Sequence, residues 1–275
     1  MAYQARPQSI QGFKSQLNML ATASLITLAI ASHEAAAQGT ERADDLAVTE
    51  IIVTAQRQAQ SQQDVPLAVS AFSAEQLERQ RVVSVGDLQL SLPNVTFTKQ
   101  NFTTASFQIR GIGTNSVGAT TEDSTGIHIN EMPNSGARIF ETEFFDVERV
   151  EVLRGPQGTQ FGRNATGGVV DVITRKPTSK FEGAGEVEYG NYNHAKVKAM
   201  LNIPLGETLA FRGAGIFLRR DGYTRNLNTG ARIDGRRQWA MRASLRYTPG
   251  DNTTIDLMYQ HFEENSDRSR IQKQM

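Results

Sequence analysis

Few side chains in this sequence combine the type and the spacing that chemistry needs. Gly162-Arg163-Asn164-Ala165-Thr166-Gly167-Gly168 has the glycine density of a phosphate cradle. No Lys-Ser or Lys-Thr pair follows, so a nucleotide site is not expected. Gly113-Thr114-Asn115-Ser116-Val117-Gly118 is one residue too long for a nucleophile elbow. The four histidines, His33, His128, His194 and His261, have no His or Cys at ligand spacing, and the chain has no cysteine. No metal site, cofactor or disulfide is therefore expected. Glu141 and Glu143 near Asp146 could work as paired carboxylates, but an acidic loop is the simpler reading. No catalytic constellation emerges, and an enzyme is not expected.

One short segment offers backbone chemistry instead. Thr49-Glu50-Ile51-Ile52-Val53-Thr54-Ala55 carries three β-branched apolar residues inside a polar stretch, residues 38–64, that reads as flexible. Such a lone strand lacks a local neighbour. It either gains order by adding to the edge of another protein's sheet or pairs within its own chain, and the residues alone leave both open. Charge does not narrow the partner further: 29 basic residues balance 29 acidic ones, so no overall field points to nucleic acid.

The N-terminus reads as an export signal. Arg6 and Lys14 precede an apolar run from Met19 to Ala31, and Ala35-Ala36-Ala37 supplies the small residues of a cleavage site, with Ala35 and Ala37 at the key positions. Residues 1–37 are thus expected to be removed. Beyond residue 40 no run of 18 apolar residues occurs, so no transmembrane helix is expected. A β-barrel stays open, because its strands alternate and keep mean hydropathy low.

Residues 65–177 read as a compact α+β unit. Leu67 to Phe72 alternates and meets Ser73-Ala74-Glu75-Gln76, a capping box that opens a helix. Ser84-Val85-Gly86-Asp87 is a second box, and Pro93 stops the helix it opens. Short strands are predicted at Phe107 to Arg110, Ile127 to Ile129, Val147 to Leu153 and Val169 to Thr174, which fits a mixed sheet. From residue 178 the pattern changes to longer strands of period two. Ala195, Val197, Ala199, Leu201 and Ile203 alternate with Lys196, Lys198, Met200 and Asn202, and Trp239 to Tyr247 and Ile255 to Tyr259 behave alike. The links alternate as well, with short turns at Leu205-Gly206-Glu207 and Pro249-Gly250-Asp251 against a long one from Asp221 to Arg236. Tyr189, Tyr192, Trp239, Tyr247 and Tyr259 are expected near strand ends, as interfacial aromatics would be. Periodicity allows two readings: a soluble β-sandwich with its polar set in water, or a barrel with its apolar set in lipid.

Val147 to Pro177 (VERVEVLRGPQGTQFGRNATGGVVDVITRKP) closely resembles the end of the plug domain of TonB-dependent outer-membrane receptors. The resemblance implies an α+β plug domain, a mixed sheet with short helices, followed by the start of an antiparallel transmembrane β-barrel, incomplete. It implies that Glu50, Ile51, Ile52, Val53, Thr54 and Ala55 form a TonB box, which pairs with the periplasmic TonB protein by strand addition. It implies that Arg110, Gly111, Arg154, Gly155, Pro156, Gly162, Arg163, Asn164, Gly167 and Gly168 shape the plug. Glu148, Arg149, Glu151, Arg154 and Arg175 would make polar contacts with a hydrophilic lumen. Gly126 to Pro133 aligns with a strand and turn where relatives usually carry Asp-Gly, whereas this chain has Asn130-Glu131, and glutamate suits a positive-φ turn poorly.

The expected function is energy-coupled uptake of a scarce extracellular small molecule, commonly an iron chelate such as a ferric siderophore, at the bacterial outer membrane. Outer-membrane lipid and TonB would be the other partners, and nucleic acid is not expected. About five barrel strands are expected in residues 178–275. Five cannot close a barrel without bare edges, so the chain is expected to be an N-terminal fragment. The alternative is a soluble periplasmic plug-like binding module with a small β-sandwich.

Overall fold

The apolar residues of the middle of the chain are too closely spaced for one-sided strands, and they build a sheet covered on both faces. The computed structural model describes residues 51–54, 58, 60–99, 105–113, 124–134, 142–250 and 252–266. The expected export signal with Ala35 and Ala37, together with Glu50 and Ala55, lies outside them. The first sheet has the order β3-β8-β9-β6-β7, formed by Val69–Ser73, Val147–Arg154, Gly168–Thr174, Thr125–Ile129 and Met132–Asn134. Only β6 and β9 run parallel, so the sheet is mixed.

One face of this sheet is covered by helix α1 (Ala74–Arg79), a 3-10 helix (Val85–Leu90) and the hairpin of β4 (Val95–Lys99) with β5 (Ala105–Ile109). Both helices start where local rules require. Ser73 Oγ accepts the Gln76 amide while the Gln76 side chain accepts the Ser73 amide. The Asp87 carboxylate accepts from the amide and hydroxyl of Ser84. Under them Leu88, Phe107, Ile109, Val150, Val152 and Val170 are fully buried. The opposite face packs Val69, Ala71, Leu153 and Val169 against Val53, Val65, Phe161 and Ala165. Phe161 closes the short helix α2 (Gly158–Phe161).

The β6–β7 turn shows how a poor turn residue is accommodated. Asn130 and Glu131 both take positive φ, 50° and 66°. For glutamate this costs about 1–2 kcal/mol. The turn is held from below: both carboxylate oxygens of Asp171 accept the Glu131 amide at 3.2 Å, and Asn130 exchanges hydrogen bonds with Thr174. The departure from Asp-Gly therefore leaves the turn left-handed.

The second sheet is a ribbon of five antiparallel strands in order β10-β11-β12-β15-β16. They are Glu182–Gly190, His194–Pro204, Leu209–Arg220, Arg236–Gly250 and Thr253–Ser266. The turn at 205–208 and the connection from β15 to β16, where Gly250 pairs with Thr253, close one end. The other end has a tight turn at 191–193 and the long link 221–235, which carries the small hairpin β13 (Thr224–Arg225) and β14 (Arg232–Ile233). Tyr189, Trp239 and Tyr247 sit near strand ends and Tyr192 in a turn. Tyr259 corrects the expectation, lying midway along β16 opposite Ala243.

Burial in the ribbon is inverted. Lys196, Asn202, Arg212, Gln238 and Arg242 are buried against the first sheet's side of the molecule, while Val187 is 78% and Leu257 62% exposed. Among the described residues no second sheet covers that apolar face. A water-excluding sandwich is not what these strands form.

Candidate functional site

Three ionisable residues lie in the buried interior of the mixed sheet. Glu151, Asp171 and His128 are 1%, 2% and 1% exposed. The register sets them side by side on β8, β9 and β6, since Glu151 pairs with Asp171 and Asp171 with His128. Neighbouring Val150, Val152, Val170 and Val172 point to the other face. A buried carboxylate must find donors or lose its charge. Glu151 finds them 97 residues earlier in the chain: its Oε1 accepts the Thr54 amide at 2.8 Å and the Thr54 hydroxyl at 3.3 Å. Arg149 completes the clip, donating from Nε to Glu151 Oε1 at 2.8 Å and from Nη2 to Thr54 Oγ1 at 3.2 Å. Arg149 also pairs with Glu148.

This arrangement corrects two expectations. Glu151 and Arg149 do not face a lumen; they bind the strand that precedes the domain. That strand is not without a partner in its own chain: β1 (Ile52–Val53) pairs antiparallel with β2 (Gln60–Ser61), and the Ile51 carbonyl accepts the Gln62 amide at 3.0 Å. The physical reason is Val53, which is fully buried among Val65, Val69 and Leu153. Burying it stabilises docking by about 1.5–3 kcal/mol. The sheet of β1 and β2 has only these two strands, so β1 keeps one unpaired edge among the described residues.

Asp171 has weaker support than Glu151. Burial pushes its carboxyl up to about 7, against the pull of the Glu131 amide; the nearby Glu151 and Glu131 charges push the same way and Arg149 opposes them. It changes charge near neutral pH, beside the clip.

The loop after β8 forms a closed turn. Gly155 N–H donates to the Gly167 carbonyl at 3.1 Å and Gln157 N–H to the Ala165 carbonyl at 2.8 Å. Gly155, Gly162 and Asn164 take positive φ within it, and Arg110 and Gly111 do so after β5. Arg154 ends β8, Pro156 and Arg163 are exposed, and Gly167 is buried. Gly168 is the position where glycine is most strictly needed: φ is +148°, and a Cβ there would lie 2.3 Å from the Leu153 carbonyl oxygen.

A second cluster fastens this domain to the ribbon. Arg212 grips Asp146 with two parallel hydrogen bonds, Nε to Oδ2 at 2.8 Å and Nη2 to Oδ1 at 2.6 Å. Arg242 stacks over the Phe145 ring at 4.5 Å and donates to the Phe145 carbonyl at 3.2 Å. Phe145 itself packs on Ile216 and Ala240. Lys196 bridges Glu143 and Glu188. Beside this anchor a cavity of about 980 Å³ separates α1 and residues 143–147 from β10–β12, and Arg81, Arg175, Glu186 and Lys198 line it. Sequence reasoning saw Glu143 and Asp146 only as an acidic loop. Their partners are too distant in sequence to be read from spacing.

A mixed domain seated on the polar face of a ribbon whose other face is apolar defines a plugged outer-membrane β-barrel, with its plug and five wall strands present here. The TonB-dependent Receptor Plug Domain family matches residues 61–169. An iron-regulated outer membrane virulence protein of Vibrio cholerae is 35% identical over 137 residues, 48% of this chain and 21% of its own length. The ferric enterobactin receptor PirA of Pseudomonas aeruginosa is 36% identical over 107 residues, 37% of this chain and 14% of its own length. The ferric yersiniabactin uptake receptor FyuA of Yersinia pestis superposes with a TM-score of 0.59 at 25% identity, covering 70% of this chain and 31% of that structure. Residues 61–169 carry the plug domain of TonB-dependent receptors, and the chain is similar to outer-membrane receptors over the plug and the first wall strands. It spans about a fifth of the length of the first of these relatives.

Proposed function

We propose that this chain is the N-terminal part of a receptor for energy-coupled uptake of a ferric siderophore, with Glu50, Ile51, Ile52, Val53, Thr54 and Ala55 as its TonB-coupling segment. Residues 1–37 would be the export signal, 38–64 the coupling region, 65–177 the plug, and 178–275 the first wall strands. Siderophore chemistry is supported by relatives named for ferric enterobactin and ferric yersiniabactin. Arg110, Gly111, Arg154, Gly155, Pro156, Gly162, Arg163, Asn164, Gly167 and Gly168 serve plug shape in this reading, through the left-handed turns and the closed loop.

The observation that carries the coupling role is the clip. The segment is already a strand with one edge unpaired among the described residues, held to the plug by the buried Val53 and by the bonds of Thr54 to Glu151 and Arg149. TonB adds to that edge, and force on Thr54 passes through Glu151 into β8. The residue that leads into β8, Asp146, is fixed to the wall by Arg212. The pull therefore loads the central part of the plug sheet between two fixed points. Ligand binding on the outer face favours release of the segment, and the plug yields a path without hydrolysing anything itself.

Ile52→Pro in the full-length receptor removes an amide that strand addition needs. Ferric siderophore binding is expected to survive while uptake falls to the level of a strain lacking TonB. Unchanged uptake would overturn the coupling assignment.

A further inference from the structure

The ribbon carries arginines in an arrangement that sheets normally avoid. Arg219 of β12 stands directly opposite Arg237 of β15, and Arg220 opposite Arg236. Like charges directly opposite one another destabilise a strand pair. The inward pair is compensated within the chain: Arg220 donates to the Asp234 carbonyl at 3.1 Å and lies over the Tyr223 ring, and Arg236 reaches Gln238 and Glu264. Among the described residues the outward pair is compensated only in part. Arg219 is 62% exposed and has Asp221 as its one ion-pair partner among them, at 3.8 Å, and Asp221 is also bound by Asn193. Arg237 is exposed and has no ion-pair partner among the described residues.

The height of this pair on the wall identifies its surroundings. One step toward the short-turn end, the outward row holds Val197, Phe217 and Trp239. Glu263 beside Trp239 is occupied by the indole N–H, at 3.0 Å. From that row the outward positions of β10, β11, β12 and β15 carry no charge down to Phe211 and Tyr247. Trp239 and Tyr247 are eight positions apart in β15. That is about 27 Å along a strand, or about 20 Å of height at a tilt of 35–45°, close to the apolar band of an outer-membrane barrel. Arg219 and Arg237 are thus the first cations above an aromatic row, at the end with the long link, which is the extracellular end of such barrels.

We propose that Arg219 and Arg237 form a clamp for a phosphate group on an outer-leaflet lipid headgroup, whose acyl chains lie along Val197, Phe217 and Trp239. Two forked guanidiniums directly opposite one another suit a phosphate held from both sides, and the anion relieves their repulsion. Apolar contact below and two cations above fit a lipid better than a free anion. This rests on the membrane reading of the ribbon given under Proposed function.

The test uses the full-length receptor in detergent, with native mass spectrometry of added diphosphorylated lipid A and of the same lipid with its phosphates removed. The receptor is expected to retain the phosphorylated lipid at least tenfold more strongly. Arg219→Gln/Arg237→Gln should abolish that preference while Arg219→Lys/Arg237→Lys restores much of it. Equal retention of both lipids, or an unaltered preference in the glutamine variant, would overturn the clamp. So would complete displacement of the lipid by millimolar inorganic phosphate, which would indicate a site for a soluble anion. Heat-modifiable migration of each variant on gels reports the barrel separately: its loss would indict the membrane reading, its retention without a lipid preference only the clamp.

Discussion

Two five-stranded sheets meet through Phe145 and Asp146 in this molecule, and they differ in how many polar side chains they bury. In the plug sheet Val150, Val152, Val170 and Val172 are buried, and Glu151, Asp171 and His128 are the ionisable exceptions. In the wall ribbon Lys196, Asn202, Arg212 and Gln238 are buried, while Val187, Tyr189 and Leu257 are exposed. Both sheets are built from the same backbone pairing. What differs is the medium on the far side: packed helices and the docked strand for one, acyl chains for the other. A buried charge therefore means something different in each. In the wall it is the ordinary inward position facing a polar plug, whereas in the plug it marks a contact that needs a specific partner.

That contrast can be broken most severely where the two sheets meet. Arg212→Ala leaves Asp146, only 5% exposed, without its guanidinium. Removing one partner of a buried pair costs on the order of 3–5 kcal/mol. The plug of the full-length receptor should unfold at clearly lower urea, read by hydrogen exchange of β8 and β9. An unshifted midpoint would mean that the plug is held elsewhere.

A smaller effect is expected at the clip. Glu151→Ala removes the acceptor of the Thr54 amide, and an amide left unsatisfied costs about 1–3 kcal/mol. Limited proteolysis between residues 51 and 64 should accelerate by roughly tenfold or more, since each 1.4 kcal/mol is a factor of ten in the open population. The wall strands should stay protected. Protection of 51–64 unchanged from wild type would remove Glu151 from the clip.

The smallest effect is a pH slope. The Asp171 carboxyl is raised to about 7 by burial. The folded plug then keeps a proton that the unfolded chain releases in the ordinary carboxylate range. This group's contribution is full at low pH and is lost as pH rises to about 7. Asp171→Asn should flatten that part of the urea-midpoint profile between pH 5 and 8. Parallel profiles for the two proteins would contradict the raised value.

Much of this was legible in the residues, and what was hidden shares one cause. The capping boxes at Ser73 and Ser84 follow local rules and form as read. The period-two strands formed where expected, because alternation is a property of the strand itself. Which alternate set faces inward is not local, and only the resemblance and then the structure decided it. The partners of Glu151 and Asp146 lie 97 and 66 residues away. A signal for Glu151 was present, though: a single acid inside Val150-Glu151-Val152-Leu153, a run buried throughout, asks for a donor. Asp171 within Gly168–Thr174 and His128 within Thr125–Ile129 carry the same mark. The internal pairing of β1 was hidden because Gln60 and Ser61 carry no strand propensity and are recruited by the docking of Val53.

The most direct test places single cysteines at Val197, Lys198, Ala199, Met200 and Leu201 of the full-length receptor in lipid bilayers, a stretch of a 275-residue sequence without native cysteine. Attached nitroxides are then read for collision with oxygen, which concentrates in lipid, and with a water-soluble nickel chelate. Oxygen accessibility should peak at 197, 199 and 201 and drop at 198 and 200, where the side chains turn toward the plug. Labels at 197, 199 and 201 that are shielded from both probes, or reached by the nickel chelate, would contradict a lipid-facing wall.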